Sequence, residues 1–109
     1  MKEFLFRINY KASSLEEAYK ARDHIINSIN FLNNLEEINK PEAYWKIEEQ
    51  YQSLFSFLSN NDEKCFQEIE KACGLTWVFL NKNEAVWTKE STKIGIDINL
   101  EWAHIERLS

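Results

Sequence analysis

His24 and His104 are the only imidazoles in the chain, and Cys65 and Cys73 are its only thiols. Two histidines held together can share acid–base work on a phosphodiester, one taking a proton while the other gives one. The spacing of His24 and His104 does not require them to meet, and each reads as a surface or boundary residue. Cys65 and Cys73 stand eight positions apart on the apolar side of one expected helix. Helical rise separates them by about 12 Å, too far for a mutual disulfide. With no base placed beside either, they read as small hydrophobes rather than nucleophiles. The carboxylate pairs Glu16–Glu17, Glu36–Glu37 and Glu48–Glu49 would point about 100° apart on a helix and so fail to converge on one substrate atom. No Cys–x–x–Cys, His–x–x–x–His or paired-aspartate spacing is present. Two glycines in all leave no phosphate cradle, and no serine sits in a nucleophile elbow. The expectation is a protein without catalytic residues, metal or cofactor. A small enzyme using His24 and His104 is the rival expectation.

What remains is charge and an aromatic. The net charge is −5. From Glu36 to Glu70 there are nine acids against three lysines, a balance of −6, and the remaining 74 residues carry +1. Such a block repels nucleic acid and attracts a basic partner. Aromatics on an open sheet can stack bases, but the acidic balance, the scattered cations and the inward-alternating strand aromatics argue against direct nucleic-acid binding.

The elements that must carry these groups follow from periodicity. A chain of 109 residues with 44 % hydrophobic content is expected to be a single domain, residues 1–109, with its own core. Phe4, Phe6, Ile8 and Tyr10 alternate with Leu5, Arg7, Asn9 and Lys11, the period of a half-buried strand over residues 3–12. Ser14 and Glu17 form a capping box that opens a helix of about 24 residues, with Leu15, Ala18, Ile25, Ile29, Leu32 and Ile38 on its stripe. Pro41 suits the first turn of a second helix running to Ser59, with Tyr44, Ile47, Tyr51, Leu54, Phe55 and Leu58 on one face. Asn60, Asn61 and Asp62 re-cap a third helix, which Gly74 stops. Leu75–Leu80 and Ala85–Lys89 read as a hairpin. Ile94, Ile96, Ile98, Leu100 and Trp102 read as one face of a long last strand. The order β-α-α-α-β-β-β predicts an α+β fold: a mainly antiparallel four-stranded sheet with three helices packed on one face and the other face solvated.

On that second helix Trp45 falls about 140° from the apolar centre, among Glu42, Glu48, Glu49 and Gln52. A tryptophan ringed by acids has the make-up of a binding hot spot, an anchor with charges that steer a basic partner. Glu42, Trp45, Glu48, Glu49 and Gln52 are therefore the expected contact surface. The competing expectation is that neighbouring elements cover Trp45 at the edge of the core.

A small acidic α+β chain without motifs has the character of the bacterial immunity and antitoxin class, a likeness of character and not of motif. The expected function is a protein-binding inhibitor that neutralises a toxin, most simply a nuclease, by occluding its basic cleft. The same profile suits a phage-type inhibitor of a nucleic-acid-binding defence protein, or a structural or self-associating domain. The N-terminal MKEFLFRINY holds no signal-like apolar run, and charges interrupt every apolar stretch. A reduced, cytoplasmic monomer or weak homodimer that avoids membranes is expected.

Overall fold

Every second residue of the first strand, β1 (Lys2–Lys11), faces the core, and Phe4, Phe6, Ile8 and Tyr10 are fully buried. A computed structural model describes residues 1–88 and 100–108. After β1 come α1 (Leu15–Ile29), β2 (Asn33–Ala43), β3 (Gln50–Ser59), α2 (Asp62–Cys73), β4 (Val78–Asn81), β5 (Glu84–Thr88) and β6 (Leu100–Arg107). The strands form one six-stranded sheet in the order β2-β3-β1-β6-β5-β4, and every pairing is antiparallel.

The fold is α+β, but with six strands and two helices in place of four and three. The expected helix between Pro41 and Ser59 does not form. Those residues finish β2, turn through positions 44–49 and return as β3. Two periods compete there. Tyr51 and Phe55, four apart, suit either a helix or a strand. Ser53 and Phe57 decide it. In a strand, Ser53, Phe55 and Phe57 all reach the core, and Phe57 stacks on Phe4 at 5.2 Å with the rings 2° from parallel. Aromatic residues on a pleated half-buried surface gain cross-strand contacts that a helix would not offer. Phe57, which a helix would leave off its main face, is a core residue.

The first helix is also shorter than expected. It ends at Ile29, and Asn34 sits at φ 53°. Asparagine tolerates this left-handed conformation, so the chain leaves the helix among its asparagines and starts β2. Pro41 then occupies an edge strand, inside the register shift between Asn39 and Glu42, a place where proline's missing N–H is tolerated. The helix starts are capped by the residues expected to cap them. Ser14 Oγ accepts the Glu17 N–H at 3.2 Å, and the Glu17 carboxylate accepts from both the N–H and the hydroxyl of Ser13. Asn61 Oδ1 accepts the Lys64 N–H at 3.0 Å, and Gly74 closes α2 at φ 67°.

Both helices cover one face of the sheet. Phe66 of α2 meets Phe4 edge-on at 5.9 Å, and Ile25 and Ile29 of α1 are fully buried in the same core. Trp77, between α2 and β4, packs against Phe6 and donates its indole N–H to the Phe66 carbonyl at 3.1 Å. Arg107 of β6 pairs with Asp62 at the start of α2. The opposite face, which carries Arg7, Asn9, Gln52, Trp102 and His104, has no described helix over it. A shift in pairing between Asn9 and Tyr10 sends Leu100 to the core and Trp102 to the open face, whereas simple alternation puts them together. The expected strand positions Ile94, Ile96 and Ile98 lie outside the described residues.

Candidate functional site

The expected contact residues lie on a β-hairpin, not on a helix. Glu42, one residue before the end of β2, stands directly opposite Gln52 of β3, so the two share a side of the sheet. Trp45, Glu48 and Glu49 stand in the connection between the strands. Hydrogen bonds shape that connection: Tyr44 N–H donates to the Gln50 carbonyl at 2.7 Å, and Ala12 N–H donates to the Glu49 carbonyl at 2.9 Å. The second bond ties the hairpin to the end of β1. Glu49 closes the turn at φ 59°, in the left-handed region.

Trp45 is 83 % exposed. The expectation that core elements cover it is therefore corrected. Its ring tilts against Tyr44 at 6.5 Å, and the Lys46 ammonium lies 5.0 Å from its centre. Glu42, Glu48 and Glu49, each within four positions of it in the chain, are all exposed. The hairpin thus gathers what the helical wheel gathered, with one difference. Gln52 points away from the tip onto the open sheet face, where its amide nitrogen Nε2 donates to Asn9 Oδ1 at 2.8 Å.

Beside the tip, the open face sinks into a cleft of 660 Å³. Tyr44 and Ile47 of the hairpin form one wall and Trp102 of β6 stands on the other side, with Arg7, Gln52 and Leu54 between them. The cleft and Trp45 are continuous through Tyr44, its direct neighbour. No periodicity in the sequence announces this cleft, because its lining comes from β1, β2, β3, β5, β6 and the β2–β3 connection, which only the sheet order brings side by side.

The rest of the acidic block is divided. Glu37 accepts from Arg22 of α1 at 2.6 Å. Asp62 pairs with Arg107, and Glu70 accepts the Trp77 backbone N–H at 2.8 Å. These acids are engaged within the fold. Those at the hairpin tip face solvent.

The two histidines do not meet. His24 lies on α1, on the helix-covered side of the sheet, while His104 points from the opposite face. A shared acid–base site is thereby ruled out within one chain. Cys65 and Cys73 are both buried and free, and burial pushes each thiol up to about 12. For Cys65 the nearby Asp62 and Glu68 add to the effect. Neither thiol is activated as a nucleophile.

Metal-ligating side chains converge at one place among the described residues: Glu84, His104 and Glu106, whose donor atoms lie within 4.8 Å of one another. His104 Nε2 is 2.6 Å from Glu84 Oε2. Hydrogen bonding to His104 chiefly, with its charge, Asn81 and Glu106 contributing, holds the Glu84 carboxyl below its usual range. No described helix is long and apolar enough to cross a membrane. No family model, curated protein or solved structure matches the chain.

Proposed function

We propose that this chain is a protein-binding inhibitor of the immunity or antitoxin kind, acting in the cytoplasm on a basic partner such as a nuclease toxin. The observation that carries the proposal is Trp45, a large aromatic held in solvent at a hydrogen-bonded hairpin tip, with exposed Glu42, Glu48 and Glu49 within four positions of it in the chain. Exposed tryptophan is costly to leave in water and valuable when a partner covers it. The three acids would speed encounter with a cationic surface, and the indole would slow release. Tyr44 and Ile47 extend the contact into the neighbouring cleft, which receives a side chain of the partner. Inhibition is stoichiometric occlusion of the partner's cleft and uses no residue of this chain as a catalyst.

The test is co-expression with the products of the genes that neighbour this chain's own, the one whose expression alone stops growth serving as the toxin. The wild-type chain is expected to restore growth, and Trp45→Ala combined with Glu48→Lys and Glu49→Lys to fail. In surface plasmon resonance with the same toxin, Trp45→Ala should raise the off-rate. The two charge reversals should slow association, most at low salt. Rescue and kinetics identical to wild type for all three changes would show that the hairpin tip is not the interface.

A further inference from the structure

We propose a second site on the open face: Glu84, His104 and Glu106 bind a divalent transition-metal ion of the Zn²⁺ type. The proposal is independent of the inhibitor reading. The β5–β6 register sets Glu84 opposite Glu106 and Val86 opposite His104. His104 and Glu106, two positions apart on one strand, therefore project on the same side as Glu84. Three donors of two chemical kinds arrive at one point from two strands, with their ligand atoms within 4.8 Å of one another. Bonds of about 2.0–2.2 Å to a tetrahedral ion need donors roughly 3.4 Å apart.

The charges favour an ion. Glu84 and Glu106 stand directly opposite on paired strands, two carboxyl groups on one side of the ladder. Here both are half-buried, and among the described residues the cation that pairs with Glu84 is His104, not a Lys or Arg. One imidazole, charged only when protonated, faces two carboxylates. A divalent cation neutralises both acids at once. The imidazole donor favours Zn²⁺ and its neighbours in the transition series over Mg²⁺ or Ca²⁺, which take oxygen ligands.

The surroundings already orient two of the donors. Asn81 Nδ2 donates to Glu84 Oε1 at 3.3 Å, which turns the other oxygen, Oε2, toward His104. The Trp102 ring stacks on the His104 ring at 5.8 Å and 4°, fixing the imidazole plane. Such supporting contacts are what keep metal ligands in place. Three protein donors leave a fourth position open toward solvent. Trp102 is also a wall of the 660 Å³ cleft, so the ion would sit at the border of that cleft.

The experiment uses the tag-free full-length chain, stripped with EDTA and titrated with Zn²⁺ by calorimetry and with Co²⁺ by visible absorption. One equivalent of Zn²⁺ should bind in the micromolar range or tighter. Zn²⁺ should also raise the thermal unfolding midpoint. The Co²⁺ spectrum should lack the thiolate charge-transfer band that Cys65 or Cys73 would produce. His104→Ala and Glu106→Gln should each weaken Zn²⁺ binding at least about tenfold. Glu106→Gln keeps the side-chain shape, so its circular dichroism should match the wild type. The proposal fails if the wild-type chain shows neither heat nor a thermal shift, which would leave His104–Glu84 as a plain ion pair. It fails equally if Glu106→Gln binds like the wild type or if the cobalt spectrum shows thiolate ligation.

Discussion

The hydroxyls of Tyr10 and Ser53 meet at 2.6 Å inside the core and join β1 to β3 across the diagonal of the ladder. Burial pushes the Tyr10 phenol from 10.0 up to about 12, with the Ser53 hydrogen bond opposing the rise. The folded state holds the phenol neutral, whereas the unfolded chain ionises it from its ordinary value. Tyr10 therefore contributes stability that is complete below pH 10.0 and is lost as pH rises toward about 12. Tyr10→Phe should flatten the fall in denaturant midpoint over that window relative to wild type. At neutral pH the same change should cost about 1–3 kcal/mol, because the Ser53 hydroxyl loses its buried partner. Equal pH slopes in the two proteins would contradict the assignment.

The cap of α1 carries the opposite sign. Two hydrogen bonds from Ser13, the hydroxyl first and the backbone N–H second, hold the Glu17 carboxyl below its ordinary value of 4.5. Its contribution is present above pH 4.5 and disappears as pH falls through the lowered value. Glu17→Gln should be less stable than wild type at neutral pH and indistinguishable from it in strong acid. Chemical denaturation across that pH range measures the gap, and a gap that persists unchanged into acid would refute the cap's charge as its source.

Phe57→Ala distinguishes strand from helix over residues 50–59. Phe57 is buried against Phe4, and its loss should cost about 3–5 kcal/mol. Trp45→Ala, at a site 83 % exposed, should shift stability by no more than about 0.5 kcal/mol. Urea titrations of the two variants should rank them in that order. A costly Trp45→Ala would place the indole in the fold's own packing.

The thiols offer a probe of local opening. Cys65 and Cys73 are buried with their thiols at about 12, so Ellman's reagent should leave both unmodified in native protein and react with both in guanidinium. Prompt native reaction at either would mean that α2 opens readily.

The sequence discloses the first strand, both helix caps, the Gly74 stop and the Asn81–Glu84 turn, because each is written in neighbouring residues. Residues 41–59 are misread because spacings of four satisfy a helical stripe and two strand steps alike, and only the remote partners Phe4 and Tyr10 separate the two. The sequence leaves Trp45 either exposed or covered at the core's edge, and the hairpin tip, not a helix flank, is what sends it outward. Glu84 and His104, 20 positions apart, carry no local signal at all. Strand register alone unites them with Glu106.

The sheet's two outermost strands are unequal, and this limits how copies of the chain can join. β2 is interrupted by three register shifts and by Pro41, which offers no N–H to a newcomer. β4 carries Val78, Phe79 and Leu80, each about half exposed, and has no proline. Among the described residues, β4 is thus the border better suited to edge-to-edge pairing. Two β4 borders meeting about a two-fold axis would consume each other and close at a pair.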